Sequence, residues 1–447
     1  MHASARGVTV EVDDPVTRKQ RSLYRASLCM PEGERFTDLY GILKWRPWIE
    51  RAARAVLGDG PGLRYVDGVV GRVLAAVARA REEEDPVGGT GSGALEWGFD
   101  DIHWCVLEEA LCMVLEPLYA GAAARSPVLW AGPPELWDMP GRLRRAWRVR
   151  NIAKEIRASF EAGPWASCEW VIQGGLGGWA SGAARKSVIR ALKSRVKDRR
   201  FIEVLTGVLK TRGAAWRGDC LGVASPVSVA GEGLHALLAG ILLSIFEEWL
   251  GKMSRYYPAR SFHYGGFLML LVPGTRDELE AVVTQAREYL VSELGLSPEK
   301  VVLDIVPREP ELEFLGFCFR RRGGRNGVGF TVYPGKSAIS YYKSRVRRLT
   351  SLKGSPLKDL GEVITAINEL IEEWRVCFGA ASSRRTFSYL DSWTRRKVFA
   401  LLCKRHPGIP RGTVFRRSCS RQGIIVEGHR GPVLLDRLVH RRASSGC

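Results

Sequence analysis

The sequence predicts an α+β fold, and three features of its order carry that expectation. Up to residue 162 apolar residues recur mostly at helical spacing. The middle of the chain alternates short apolar runs of strand length with helical segments. The basic end is helical again. With 447 residues, 45% hydrophobic and 26% charged, the chain can bury a sizeable core and has room for two or three domains.

Taken in order, the first twenty residues are polar and read as a frayed end. Residues 24–80 are helical, with Phe36, Leu39, Tyr40, Leu43, Ile49, Ala52 and Val56 marking the apolar stripe. Charge, Pro and Gly turn residues 82–98 into a loop. An amphipathic helix over 106–118 follows, then Pro133, Pro134 and Pro140, then a helix over 142–162. Residues 170–172 read as a buried strand and 174–178 (GGLGG) as a flexible run. Helices are expected at 187–196, 234–250 and 277–294, and strands at 267–272 and 301–306. Residues 314–319 and 327–333 form a hairpin around GGRNG. From 336 to about 404 the chain is helical, broken at Gly354-Ser355-Pro356 and near Gly379. The Pro/Gly/Arg-rich end from His406 reads either as a short nucleic-acid contact or as a disordered extension.

Lys and Arg total 67 against 48 Asp and Glu, a net charge of +19. The excess is concentrated: residues 331–447 hold 23 basic and 8 acidic side chains, and the preceding 330 hold 44 and 40. Such a chain expects an anionic partner, either nucleic acid or an anionic membrane surface, bound mainly through its last quarter. A membrane span is not expected. The longest apolar stretch, 234–250, carries His235, Glu247 and Glu248 and is shorter than the roughly 20 residues a span needs. The first residues lack the charged start and apolar core of a signal peptide. Ten scattered cysteines without a C-x-x-C pair argue against a disulfide framework or zinc knuckle, and for an intracellular, reducing compartment such as cytoplasm or an organelle. Asn and Gln total seven, which fits either a hot habitat or a GC-rich genome.

Eight segments, in order, resemble the reverse transcriptase–maturase proteins encoded in group II introns. They are RYVDGV (64–69), VLEEALCMVLEPLY (106–119), KDRRFIEVL (197–205), LLAGILLSIFEEWL (237–250), GLSPEKVVL (295–303), FLGF (314–317), INELIEEW (367–374) and SSRRTFSYLDSWTRRK (382–397). The resemblance implies a right-hand polymerase architecture. Residues 1–85 would be a helical extension leading into the fingers, 86–167 fingers, 168–330 palm, 331–404 the maturase thumb (domain X), and 405–447 a basic tail.

The resemblance does not extend to polymerase chemistry. Phosphoryl transfer by two metals needs carboxylates held a few ångströms apart. The family supplies them from a D-I-x-G-x-F-D segment and a Y-A-D-D turn. Here WVIQGGLGGWAS puts Gly175 and Ser181 at the first pair of positions. HYGGFLMLLV puts Gly266 and Phe267 at the second, or Gly265-Gly266 in place of the whole A-D-D if one residue is deleted. The glutamine loop reads Val229-Ala230-Gly231, and the R-P-L-G-I-P finger segment has no counterpart in LEWGFDD (95–101). No catalytic residue, metal or cofactor is therefore expected. Asp304 reads as a surface or paired residue, His103 and His263 as satisfied structural histidines, and GGTGSG (88–93), which lacks the Lys-Ser/Thr end of a phosphate loop, as a linker.

What remains is a basic surface interleaved with aromatics. Lys336, Lys343, Arg345, Arg347 and Arg348 cluster on and just before a helix expected over 337–352, and Arg384, Arg385, Arg395, Arg396 and Lys397 on or beside the helix pair that follows. These ten are the candidate RNA contacts, with Tyr341, Tyr342, Trp374, Phe378, Phe387, Tyr389 and Trp393 among them. For Trp374, Phe387 and Leu390 core packing is the expected role. The resemblance implies a non-polymerising maturase that binds structured RNA, a group II intron or a relic of one, and stabilises its splicing-competent fold. Two alternatives stay open at this point: a structural subunit of a ribonucleoprotein or of a heteromer with an active polymerase, and an active reverse transcriptase with relocated ligands.

Overall fold

The computed structural model describes residues 14–31, 34–57, 63–79, 99–120, 139–180, 182–213, 232–253, 258–324, 327–351, 359–418, 424–428 and 431–438. The expected loop 82–98, the GGTGSG run within it, the 133–134 prolines, Ser181, Val229-Ala230-Gly231 and the 354–356 break lie outside these residues. The architecture is α+β with antiparallel sheets.

Helix α1 (Pro15–Cys29) already starts within the segment read as frayed. Asp14 caps it, accepting from the Thr17 N–H at 3.0 Å, and Pro15 suits its first turn. Helices α2 (Leu39–Leu43), α3 (Arg46–Leu57) and α4 (Leu63–Arg79) follow and pack with α1 around α5 (Asp101–Ala120).

Helix α5 is not amphipathic, as its sequence suggests, but buried on nearly every side. Its three glutamates, which read as a polar face, are buried against arginines. On α6 (Gly141–Glu161), Arg144 and Arg148 hold Glu116 at 3.0 and 3.3 Å, and Arg145 holds Glu109 at 3.2 Å. Arg212, at the end of α8 (Arg199–Arg212), reaches Glu108 at 3.2 Å. Burial would push the Glu116 carboxyl up, but Arg144 and Arg148 outweigh it and hold it below the ordinary range.

The first sheet has the order β2-β3-β1-β4, from β1 (Trp170–Leu176), β2 (Arg260–Tyr264), β3 (Phe267–Leu271) and β4 (Val301–Pro307). Both of its faces are covered, so neighbouring residues enter different cores. Ile172, Leu268 and Leu270 join the core of α5 with α7 (Gly182–Lys193), α9 (Glu232–Met253) and α10 (Arg276–Ser292). Val171, Met269 and Leu271 join a second core with α6 and the C-terminal elements. The run 174–178 is not simply flexible, because Gly174 and Gly175 belong to β1. A Cβ on Gly174 would lie 1.8 Å from the Val302 carbonyl oxygen of the adjacent strand.

Among the described residues α9 is long and apolar enough to cross a membrane by length and composition alone, and it exceeds the expected 234–250 at both ends. It is packed against α5, α7 and β2.

A second sheet, β5-β6-β7, comprises β5 (Glu311–Phe314), β6 (Phe317–Gly324) and β7 (Gly327–Pro334). The single strand expected over 314–319 is split by a turn at Leu315-Gly316, both at positive φ. Helices α11 (Lys336–Leu349), α12 (Leu360–Phe378) and α13 (Arg384–Arg405) leave this sheet. The residues after 405 add a short helix α14 (Arg411–Ser418) and a hairpin of β8 (Ile425–Gly428) and β9 (Gly431–Leu434). Val414, Ile424, Val426, Leu435 and Leu438 are buried in the second core, and Asn368 of α12 donates to the Leu434 carbonyl at 2.8 Å.

Breaking the α5–α6 network by removing one partner strands a buried charge. Glu116→Leu is expected to lower unfolding stability by about 3–5 kcal/mol. Glu116→Leu combined with Arg144→Met and Arg148→Met should recover most of that loss. Urea midpoints of the three proteins check both values.

Candidate nucleic-acid interface

Helical periodicity divides α11 and α13 into an inner and an outer face. On α11, Ala338, Tyr342, Val346 and Leu349 are buried, and on α13 Phe387, Leu390, Thr394, Val398, Leu401 and Leu402. The two helices meet where the Tyr342 hydroxyl lies 3.0 Å from the Thr394 hydroxyl, and Tyr342 packs edge-on against Trp374 with centroids 4.9 Å apart.

One residue after Tyr342 on α11 and one before Thr394 on α13, the outer faces meet at the surface. Lys343 Nζ donates to the Tyr389 hydroxyl at 2.7 Å and lies 4.6 Å from that ring's centroid. Trp393 is approached by three cations: Lys343 at 5.9 Å, Arg347 at 5.6 Å and Lys397 at 5.6 Å. Tyr389 is 47% exposed and Trp393 half-buried. The hydrogen bond from Lys343 lowers the Tyr389 phenol below its ordinary range, with Arg396 and Arg347 adding to the effect. The arrangement offers cations for phosphates beside aromatic surfaces on which an unpaired base can stack.

The other sequence candidates are placed differently. Arg385 is exposed one turn before Tyr389, and Arg396 is exposed beside Lys397. Arg384 is exposed in the first turn of α13, Arg348 is exposed on α11, and Arg395 is half-buried. Arg345 belongs to the inner side. It acts on Glu373, which is buried on α12, and its Nη1 is buried without a hydrogen bond. Position 345 is three residues after Tyr342 and one before Val346, so periodicity alone could have separated it from Arg347. Tyr342, Trp374, Phe378 and Phe387 are core residues.

Lys336 lies at the other end of α11, in a cleft of about 570 Å3 lined also by Gln173, Gly175, Phe267, Asp304 and Ser340. Gly175 and Phe267, two of the positions that the sequence resemblance sets opposite the family's aspartates, line this cleft, and Gly266 lies next to them. Gly175 pairs with Phe267 across β1 and β3, and the Leu176 N–H donates to the Gly266 carbonyl at 2.8 Å. Glu313, on the cleft wall, accepts from the Ser337 N–H at 3.1 Å and from the Ser337 hydroxyl, which anchors the start of α11. Asp304 is exposed on β4. Among the described residues no three His, Cys, Asp or Glu side chains cluster as metal ligands would.

The histidines differ. His103 Nδ1 lies 2.5 Å from the Asp100 carboxylate, as a satisfied structural histidine should. His263 is fully buried, yet neither ring nitrogen makes a hydrogen bond, and its Nε2 stands 3.6 Å from Glu247. No local sequence pattern separates the two histidines, because the partners that differ come from the fold.

The chain is thus an α+β protein whose C-terminal helices carry a basic and aromatic outer face. Residues 339–419 match the family model described as the group II intron, maturase-specific domain, so this C-terminal segment is similar to that domain. The match covers most of α11, all of α12–α14 and every residue of the outer face described above. Comparison with curated proteins finds none that matches.

Glu373 sits where α12 meets α6. Burial pushes its carboxyl up to about 7, against the pull of Arg145, Arg142 and Arg345. An acid with a higher pKa folded than unfolded holds its proton more tightly in the native state. Its contribution is therefore full below the ordinary value of 4.5 and is lost as pH rises through about 7. Relative to Glu373→Gln, the wild-type protein should lose stability on the order of 3 kcal/mol across that window. Urea midpoints measured against pH for both proteins check this, and parallel profiles would return Glu373 to an ordinary carboxyl.

Proposed function

We propose that this protein binds a structured RNA, a group II intron or a relic of one, through the outer face of α11 and α13 and holds it in its splicing-competent fold. Splicing chemistry then belongs to the RNA. The observation that carries the proposal is the set of Lys343, Arg347 and Lys397 around Trp393 and Tyr389, inside the segment that matches the maturase-specific domain.

We read the two sheets and the helices around them as a right-hand arrangement whose palm no longer adds nucleotides. The residues at the metal positions support this. Glycine and phenylalanine side chains cannot ligate magnesium, and Gly175, Gly266 and Phe267 meet at one end of the central strands. Of the two carboxylates in the cleft, Glu313 is engaged with the start of α11. The charge of the outer face favours RNA over a purely structural role in a heteromer, because a subunit held by protein contacts alone has no need of three cations gathered around one indole.

Binding through phosphates releases counterions, so affinity falls as a power of salt concentration. Lys343→Gln with Arg347→Gln should reduce the slope of log affinity against log salt by about one to two units on a group II intron transcript. Arg345→Gln should leave that slope unchanged and lower stability instead, because it removes a cation from buried Glu373. Equal slopes for wild type and the double variant would remove this face from RNA binding. Magnesium-dependent extension of a primed template by the wild-type protein would overturn the loss of polymerisation.

A further inference from the structure

A second basic surface lies far from the C-terminal helices in sequence. Residues 182–200 hold Arg185, Lys186, Arg190, Lys193, Arg195, Lys197, Arg199 and Arg200 against Asp198 alone. Charge counts over long windows hide this run, because acidic residues elsewhere in the first 330 cancel it. Helical spacing sorts it. Ala184, Ser187, Val188 and Leu192 of α7 are buried, whereas Lys186, Arg190 and Lys193, spaced four and three apart, are exposed on the opposite face.

The connection from α7 to α8 extends the stripe on a fixed backbone. Phe36 and Val196 form a parallel bridge. The Lys197 N–H donates to the Phe36 carbonyl at 2.8 Å, and the Phe36 N–H to the Arg195 carbonyl at 2.7 Å. Lys197 is exposed from this clamp, and Arg200 follows on α8. The run's one carboxylate does not neutralise its neighbours. Asp198 accepts from the Tyr40 N–H at 2.8 Å and from the Phe201 N–H at 3.0 Å, so both oxygens are used on backbone amides. Among the described residues Arg199 pairs with Glu203, while Lys186, Arg190, Lys193 and Lys197 have no ion-pair partner. Arg195 is set apart, half-buried over the Tyr119 ring.

Four unpaired cations in a row on one helix and its rigid exit suit a polyanion. An anionic membrane fits poorly, since a membrane-surface helix also presents large apolar side chains beside its cations. Those of α7 face the core, and none is exposed. We infer that Lys186, Arg190, Lys193 and Lys197 form a second phosphate-binding surface that grips the backbone of the same structured RNA as the α11–α13 face. This inference rests on the RNA-binding reading above and adds a second point of attachment to it. Two attachments on one RNA multiply, because once one is made the other becomes intramolecular. The stripe carries no exposed aromatic, so it contributes affinity for the backbone and little preference for sequence.

The test uses the full chain, a group II intron transcript and vesicles containing phosphatidylserine. Lys186→Gln, Arg190→Gln and Lys193→Gln together keep helix-forming residues on an exposed face, and an unchanged urea midpoint verifies the fold. The triple variant should lower the salt slope for the transcript by about two units and weaken binding at least tenfold at low salt, with the fold intact. If the triple variant binds the transcript with wild-type affinity and slope, while Lys343→Gln with Arg347→Gln weakens it, the second surface is refuted and the first stands. If the triple variant loses affinity and the Lys343/Arg347 variant does not, the α7 surface stands and the α11–α13 reading falls. Loss of vesicle binding with RNA binding unchanged would assign the stripe to a membrane and overturn the inference.

Discussion

The outer face of the C-terminal helices depends on a contact that lies beneath it. Tyr342 of α11 and Thr394 of α13 meet hydroxyl to hydroxyl in the core, against the edge of Trp374. Burial pushes the Tyr342 phenol up, so it stays protonated and able to donate. Net, such a bond contributes only about 1 kcal/mol, but a lone buried hydroxyl costs roughly 1–3 kcal/mol. A slip of either helix would therefore strand both groups. Because Lys343 follows Tyr342 and Trp393 precedes Thr394, the register fixed inside is the register displayed outside. The cations are gathered around the indole by a packing decision made one residue away.

That pair of helices is in turn tied to the rest of the protein. Glu313 of β5 anchors the first turn of α11, and the Ser382 N–H, just before α13, donates to the Val332 carbonyl of β7 at 2.7 Å. Helix α12 lies along α6, whose arginines hold both the α5 glutamates and, through Arg142 at 2.8 Å, Glu372 of α12. The central sheet, covered on both faces, separates the two cores. The candidate interface is therefore joined to the second sheet and to α6 by hydrogen bonds and an ion pair, which suits a protein whose proposed task is to hold an RNA in one shape.

Much of this was legible because the period of the apolar residues is strict. Ala338, Tyr342 and Val346 mark the inner side of α11, and the FLMLLV run marks β3. Other features follow from partners distant in sequence, which no local pattern contains. The glutamates of α5 look solvent-facing until Arg144, Arg145 and Arg148, some thirty residues on, are brought beside them. Gly174 and Gly175 look flexible until Val302 leaves no space for a Cβ at position 174. Arg345 and Arg347 are alike in composition and opposite in role, and the difference lies only in the face each occupies. The α7 stripe was obscured by averaging rather than by distance. Gly175 and Phe267, which the resemblance sets at the family's catalytic positions, are legible one by one, but their convergence requires the pairing of β1 with β3.

The most direct measurement is ultraviolet crosslinking of the native protein to RNA in cells, with the adducts mapped on both molecules. The account predicts adducts on the Tyr389–Trp393 segment of α13 and bound RNA that contains a group II intron domain-V hairpin. Adducts confined to other segments, or bound RNA without that hairpin, would contradict it.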